Sequence, residues 1–189
     1  MQNILTKKYP TVGCCGIDCG LCPRYHTNGA SRCPGCLGTN FKEKHPSCSI
    51  ITCCTKKHGL EICAECDEFI CQRLKNWDCA DSFVTHRNSL SNLESIRRNG
   101  LGAFIKQQNR RIRKLEELIR ESDDGKSKSF YCLSVTLLPT DELKEAISRI
   151  KKKDGISDRK QIAKMLKDAF TTIARRKNIE LIYRKINRL

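Results

Sequence analysis

The sequence lacks long apolar runs and any recognisable export signal. No segment approaches the roughly 20 apolar residues that a membrane-spanning helix requires. The first residues, MQNILTKKYPTVG, contain no apolar core of the kind found in secretory signals. We therefore expect a cytoplasmic protein that does not enter a membrane. Aromatic residues make up only 6% of the chain, so few side chains could stack on nucleic-acid bases.

Cysteine, by contrast, is abundant, with 14 residues in a chain of 189. Thirteen of them lie between Cys14 and Cys79, and only Cys132 lies outside that stretch. In a secreted chain this density would indicate disulfides, whereas in a reducing cytoplasm it is more typical of metal binding. We therefore predict a cysteine-rich metal-binding module at 13–80, and a different kind of segment, packed on it, at 81–189.

Large apolar side chains are sparse in the same stretch, with 14 among the 70 residues from 11 to 80. A domain with so small an apolar core usually needs disulfides or metal for stability. A structural zinc ion contributes roughly 10–16 kcal/mol of apparent binding free energy, which becomes folding free energy. We expect bound metal to replace part of the hydrophobic interior of the module.

The cysteines occur at spacings typical of metal sites: C-x3-C-x2-C, C-x2-C, C-x4-C and C-x2-C-x4-C in chain order. A C-x2-C turn lets two thiolates converge on one tetrahedral ion, at about 2.3 Å from each sulfur. We predict at least two such sulfur-rich sites, with zinc as the favoured metal. The predicted metal ligands are Cys15, Cys19, Cys22, Cys33, Cys36, Cys48, Cys53, Cys63, Cys66 and Cys71.

Other interpretations of the first motif have to be weighed against zinc. CGLC resembles a thioredoxin-like dithiol, but the segment before it, YPTVGCCGID, is a poor strand. The C-x3-C-x2-C spacing is also that of radical S-adenosylmethionine enzymes, whose barrel needs more strands than this sequence offers. An iron–sulfur cluster held by four thiolates stays open as the main alternative, because zinc and iron–sulfur sites both prefer sulfur ligands.

Some cysteines and histidines fall outside these spacings. The four cysteines that fit none of them are Cys14, Cys54, Cys79 and Cys132. Two adjacent cysteines can rarely bind one ion, so one member of each adjacent pair is expected to be spare. His45 and His58 lie among the ligands and could replace a cysteine, although a solvent-facing histidine is the simpler interpretation of each.

After residue 80 the pattern of apolar residues becomes helical. Apolar residues recur at helical spacing over 81–99 and over 101–119, and Asn99-Gly100 separates these two segments. Two further amphipathic helices are predicted to begin near Thr140 and after Ser157, which we expect to cap the last one. The predicted fold class is therefore mainly α, with a small irregular cysteine-rich module stabilised by metal.

Two segments leave room for a minor β element. The apolar run at 130–138 suits a buried strand, and a short buried helix fits it as well. The segment at 179–185 alternates in the way a strand does. We allow for a two-stranded pairing of these segments.

Most of the positive charge lies in the second half of the chain. Residues 1–80 carry ten Lys and Arg against seven Asp and Glu, a charge of +3, and residues 81–189 carry 26 against 14, a charge of +12. Basic tracts at 106–114 and 174–189 could neutralise nucleic-acid phosphates. The same charges alternate with an apolar face, as they do on any solvated helix. A nucleic acid or a protein could therefore be the partner of these basic helices, and the sequence identifies neither.

An enzymatic activity is left open. The available ligands are nearly all thiolates, which favours closed structural zinc sites over catalytic ones. Asp67 and Glu68 follow Cys66 and could act as a base, but solvated acids beside a turn are commoner. GKSKS at 125–129 lacks the upstream glycine of a phosphate-binding loop. We expect a structural-zinc protein acting as a binding or adaptor module, the alternatives being iron–sulfur redox or cofactor chemistry and zinc-stabilised nucleic-acid binding.

Several segments also carry a family resemblance: CCGIDCGLCPRY, RCPGCLG, CSIITCC, GLEICAECDEFICQRL, DSFVTHRNSL and GKSKSFYCLSVTLLP. Together, from about Gly13 to Pro139, they resemble a family of uncharacterised cysteine-rich bacterial and archaeal proteins, domain of unknown function 3795. The resemblance implies a zinc-binding cytoplasmic protein, implies the same ten cysteines as ligands, and supplies no reaction. This chain departs from the family in having Ile70 where proline is common, and in the additional Cys14 and Cys54.

Overall fold

The computed structural model of the chain describes residues 6–152 and 158–185. In its cysteine-rich part the helical elements are short: α1 (Phe41–Lys44), α2 (Ser49–Ile51), 3-10 turns at Cys19–Leu21 and Cys63–Glu65, and a π-helical stretch at Thr52–Lys57. Longer helices follow: α3 (Ser89–Asn99), α4 (Leu101–Ser122), α5 (Lys128–Leu137), α6 (Thr140–Lys151) and α7 (Arg159–Arg176). The mainly helical class predicted from the sequence is confirmed for these residues.

The amphipathic pattern explains where the long helices form. In α4 the buried side chains, which include Phe104, Ile112 and Leu115, recur at helical spacing on one face. Gly100 separates α3 from α4 as predicted, with φ at +81°, a conformation that side-chain-bearing residues rarely adopt. Because of this break the two consecutive helices can pack on each other.

The last helix begins at a capped residue. The Asp158 carboxylate accepts hydrogen bonds from the backbone N–H groups of Lys160 and Gln161, at 3.2 and 3.3 Å. The cap expected at Ser157 lies outside the described residues. The start of α6 at Thr140 agrees with the prediction, and Pro139 precedes it.

The prediction of a two-stranded β element is wrong. Residues 130–137 belong to α5, and no residue in 6–152 or 158–185 forms a strand. The apolar run was ambiguous because successive positions of α5, among them Tyr131 and Val135, are all buried, which removes the polar face that reveals a helix. The segment at 179–185 forms neither helix nor strand, and the N–H of Asp81 donates to the Arg184 carbonyl at 2.8 Å.

Two buried clusters connect the parts of the chain. The first combines residues of the cysteine-rich module with α3 and the beginning of α4, for example Ile62, Leu93 and Phe104. The second lies among α4, α5, α6 and α7, and it takes in Leu21 from the module. The module is therefore packed against the helices. None of the helices in the described ranges combines the length and the apolar character needed to span a bilayer.

Candidate metal centres

The predicted ligand cysteines surround two separate chambers. A chamber of about 310 Å³, here called the large chamber, is lined by Cys15, Cys19, Cys22, Cys33, Cys36 and Cys48. A chamber of about 20 Å³, here called the small chamber, is lined by Cys53, Cys63, Cys66 and Cys71. All ten predicted ligands line one chamber or the other, and this division cannot be read from their spacing.

The thiols that line each chamber are neighbours, but no three of them converge on one point. Within residues 6–152 and 158–185, no three His, Cys, Asp or Glu side chains lie close enough together to hold one ion. Four sulfurs around a zinc ion stand about 3.8 Å from one another, the separation set by tetrahedral bonds of about 2.3 Å. The structure thus brings the predicted ligands together, and metal binding stays a prediction.

Two C-x2-C motifs fold into the same turn. At the end of the turn Cys19–Leu21 the N–H of Cys22 donates to the Cys19 carbonyl at 3.1 Å. In the same way the N–H of Cys66 donates to the Cys63 carbonyl at 3.2 Å. Cys22 and Cys66 have nearly identical backbone angles, with φ at −77° and −78° and ψ at 136° in both. One of these turns serves each chamber, so each has a preformed pair of thiols.

The third C-x2-C motif is held against the start of the chain. The N–H of Cys36 donates to the Pro10 carbonyl at 2.8 Å. A Cβ added at Gly35, where φ is +83°, would lie 2.3 Å from that same oxygen. Glycine is required here for both reasons, and the contact fixes Cys36 against the segment that precedes the module.

Helices α3 and α4 position the loop that carries Cys15 and Cys19. Asp18, buried in that loop, accepts a hydrogen bond from Asn92 of α3 and another from Gln108 of α4, each at 2.9 Å. Asn92 also donates to the Gly16 carbonyl at 2.9 Å. The helical half of the chain therefore fixes the position of the first two ligands.

The two extra cysteines each line one of the chambers. Cys14 lines the large chamber, and its sulfur is 3.8 Å from the sulfur of Cys36. Cys54 follows Cys53 in the π-helical stretch, lines the small chamber and donates from its thiol to the Leu60 carbonyl at 3.4 Å. Spacing gave no sign of these positions. Cys79 and Cys132 line neither chamber.

Burial dominates the electrostatics of the large-chamber thiols. It raises the pKa of Cys15 to about 12, against the opposing effects of the Ile17 amide and the Trp77 indole. Burial also raises the pKa of Cys19 and of Cys22. These thiols keep their protons at neutral pH unless a cation binds them, so metal binding there would release protons.

Two residues beside these thiols were missed by sequence reasoning. Lys7 is only 6% exposed, and its ammonium donates to the Val12 carbonyl at 2.8 Å. Its positive charge favours the thiolate form, and so opposes the rise in pKa, of four cysteines: Cys14, Cys19, Cys36 and Cys54. No carboxylate among the described residues pairs with it. A buried ammonium needs an anionic partner, and metal-bound thiolates would supply one.

The second is Trp77, which lines the large chamber. Its indole nitrogen is buried and has no hydrogen-bond acceptor among the described residues, although it lies near enough to Cys15 to act on that thiol. Such an orphaned donor is costly unless an acceptor is present in the native molecule. The buried ammonium of Lys7 and the unsatisfied indole N–H of Trp77 are groups that a negatively charged ligand would satisfy.

Three histidines lie near the chambers. His45 lines the large chamber near its opening and stacks on Phe41, with ring centroids 4.5 Å apart. His58 lines the small chamber. His86, which was not considered from the sequence, also lines the large chamber, where it stacks on Trp77 at 4.8 Å. Burial lowers the pKa of His86, so the ring is neutral at physiological pH.

Some residues of the two basic tracts form contacts within the fold. The Arg111 guanidinium donates to the Leu138 carbonyl at 3.0 Å, and Lys177 forms an ion pair with Glu142 at 2.9 Å. In the GKSKS segment, Ser127 is buried and its hydroxyl donates to Asp124, so this serine is not available to grip a phosphate. These contacts reduce the charge that a nucleic acid could meet.

Comparison with known families agrees with the sequence resemblance. Residues 11–76 match the model of a family described as Protein of unknown function (DUF3795). The resemblance is thus confirmed for the region that contains the ten predicted ligands, and the match does not include the later segments up to Pro139. The comparison with curated proteins gave no match, and neither did the comparison with solved structures. The family description names no activity, so function must be argued from the chambers.

Proposed function

We propose that the chain is a metal-binding protein whose cysteine thiolates hold metal in two centres, one in each chamber. The observation that supports this most strongly is the division of the ten predicted ligands, of which four line one chamber and six line the other. Cysteines serving only as small apolar residues would have no reason to gather around two hollows.

The small chamber suits a single zinc ion. Its volume of about 20 Å³ is enough for one guest the size of an atom, since a water molecule needs about 10–15 Å³. Four thiolates complete the tetrahedral shell of zinc and leave no open position for a substrate. The proposed role of this centre is structural, joining the turn at Cys63–Glu65 to the π-helical stretch and to Cys71.

The proposed biological role is that of a metal-stabilised binding or adaptor module. The module contributes Ile62 and Leu74 to its own core, and it shares that core with Leu93 of α3. Metal would supply the part of the folding free energy that so few large apolar residues cannot supply. Removal of metal should then disturb the surface that the module and α3 present together.

Metal analysis of serine variants tests the proposal. Protein purified without oxygen should contain metal, and Cys66→Ser should remove about one zinc ion per chain while leaving the metal of the large chamber in place. Cys36→Ser should have the converse effect. Cys79→Ser is the matched control because Cys79 is exposed and lines neither chamber, so its metal content should equal that of the wild type.

One result would end the proposal. If the wild-type protein, purified anaerobically and shown to be folded, contains no metal, the two chambers are not metal centres. Equal losses in the Cys66, Cys36 and Cys79 variants would also contradict the assignment, because the loss would then follow from removing any thiol.

A further inference from the structure

We propose that the large chamber holds a cluster of four irons and four sulfides, with Lys7 and Trp77 stabilising its negative charge, whereas the small chamber holds zinc. This inference rests on the proposed function and assigns a different metal to each centre. It is supported by three features of the large chamber: its size, the number of thiols around it, and the two positively polarised groups beside it.

Size separates the two chambers most clearly. The large chamber has roughly fifteen times the volume of the small one, about 310 Å³ against about 20 Å³, part of it at an opening lined by Arg24 and Phe83. A zinc ion is enclosed completely by four sulfurs at about 2.3 Å and leaves no such space between them. A cube of eight inorganic atoms needs a chamber with the thiols set back around its wall.

The arrangement of the thiols also suits a cluster. A Cβ added at Gly13 would lie 3.2 Å from the Cys15 sulfur and 3.5 Å from the Cys19 sulfur, so both sulfurs lie close to Gly13. Cys33, Cys36 and Cys48 line the same hollow, and the Cys36 sulfur lies 3.8 Å from the sulfur of Cys14. With Cys14, seven thiols line the hollow, which is more than the four that a single ion binds, and a cluster can take four of them.

Lys7 and Trp77 meet the electrostatic needs of the cluster. A four-iron cluster with four thiolates carries net negative charge, and hydrogen bonds to its sulfurs tune its reduction potential. The buried ammonium of Lys7 donates to the Val12 carbonyl, next to Gly13 of the chamber wall, and its positive charge opposes the effect of burial on the pKa of the Cys19 thiol. The orphaned indole N–H of Trp77 is a donor that a cluster sulfur would satisfy.

Quantitative metal and sulfide analysis of the anaerobic protein is the first test. We expect about four irons and about four acid-labile sulfides per chain, about one zinc, and a brown colour that serine variants of the large chamber lose while Cys66→Ser keeps it. Zinc in both centres without sulfide would overturn this inference and leave the proposed function standing. Folded protein without metal would overturn both.

The reduction potential tests the roles of Lys7 and Trp77. Dithionite would supply one electron to the cluster, which makes the cluster more negative, so the loss of a positive group should disfavour reduction. We expect Lys7→Met to shift the potential to a more negative value, and Trp77→Phe to do so as well. Lys8→Met is the matched control, because Lys8 is exposed and adjacent, and it should leave the potential unchanged.

The two variants guard against a simple folding failure. Phenylalanine keeps an aromatic ring to stack on His86 and removes the N–H donor together with part of the indole, so the fold should survive. If both Lys7→Met and Trp77→Phe keep a full cluster with the wild-type potential, these residues have no part in stabilising it and that half of the inference is wrong.

Discussion

Replacement of Gly16 by alanine tests how closely the loop that carries Cys15 and Cys19 is held against α3. Gly16 has φ at +82°, and an alanine Cβ there would lie 2.2 Å from the Ser89 carbonyl oxygen and 2.7 Å from a Leu93 carbon. The left-handed conformation costs alanine roughly 1–2 kcal/mol, and the overlap adds roughly 1–3 kcal/mol. We expect Gly16→Ala to lower the free energy of unfolding by about 2–5 kcal/mol in total.

Gly29 provides a control that separates the two costs. Its φ is also +82°, but a Cβ there would have nothing within 4 Å. Gly29→Ala should therefore lose only the conformational part, about 1–2 kcal/mol. The difference between the two variants measures the contact between the loop and α3.

The assay is urea unfolding of both variants, combined with metal analysis of each purified protein. Relief of the overlap would move the loop that carries Cys15 and Cys19, so Gly16→Ala should also lose metal from the large chamber while Gly29→Ala keeps it. Equal destabilisation of the two variants, with equal metal content, would show that the loop is not packed on α3 as described.

Three further predictions concern single side chains. Burial lowers the pKa of His26, so the wild-type unfolding free energy should fall as the pH drops from about 7 to about 5.5, because the unfolded chain takes up the proton more readily. His26→Asn should show a weaker dependence of the unfolding free energy on pH, and an unchanged slope would contradict this prediction. Gln108→Leu leaves the buried Asp18 without one donor and should cost about 1–3 kcal/mol in urea unfolding, whereas no loss would mean that this hydrogen bond is not needed. Cys132→Ala should keep the full metal content, and any loss would place Cys132 among the ligands.

The helices after residue 80 could be predicted because each has one apolar face and one polar face. Residues such as Phe104 and Leu115 recur at helical spacing, and Gly100 marks the break between two helices. The exception is α5, which is buried at nearly every position, so periodicity could not separate it from a strand.

The cysteine-rich module was predictable only in outline. Cysteine spacing identified ten of the twelve cysteines that line the chambers, because the C-x2-C turn is a local structure. The division into two chambers depends on contacts between distant segments, such as the N–H of Cys63 donating to the Cys14 carbonyl at 2.9 Å. Lys7 and Trp77 were missed for the same reason, since only the fold brings them beside the thiols.

The most direct measurement is amide hydrogen exchange of the anaerobically purified protein before and after removal of metal with a strong chelator. The central claim is that metal–thiolate centres supply cohesion that the module's small apolar core lacks. The amides of Cys36 and Cys63 form hydrogen bonds with residues far away in the sequence. They should be protected in the purified protein and exchange rapidly once metal is removed, while amides within α7 stay protected. Unchanged protection of the module in metal-free protein would contradict the claim.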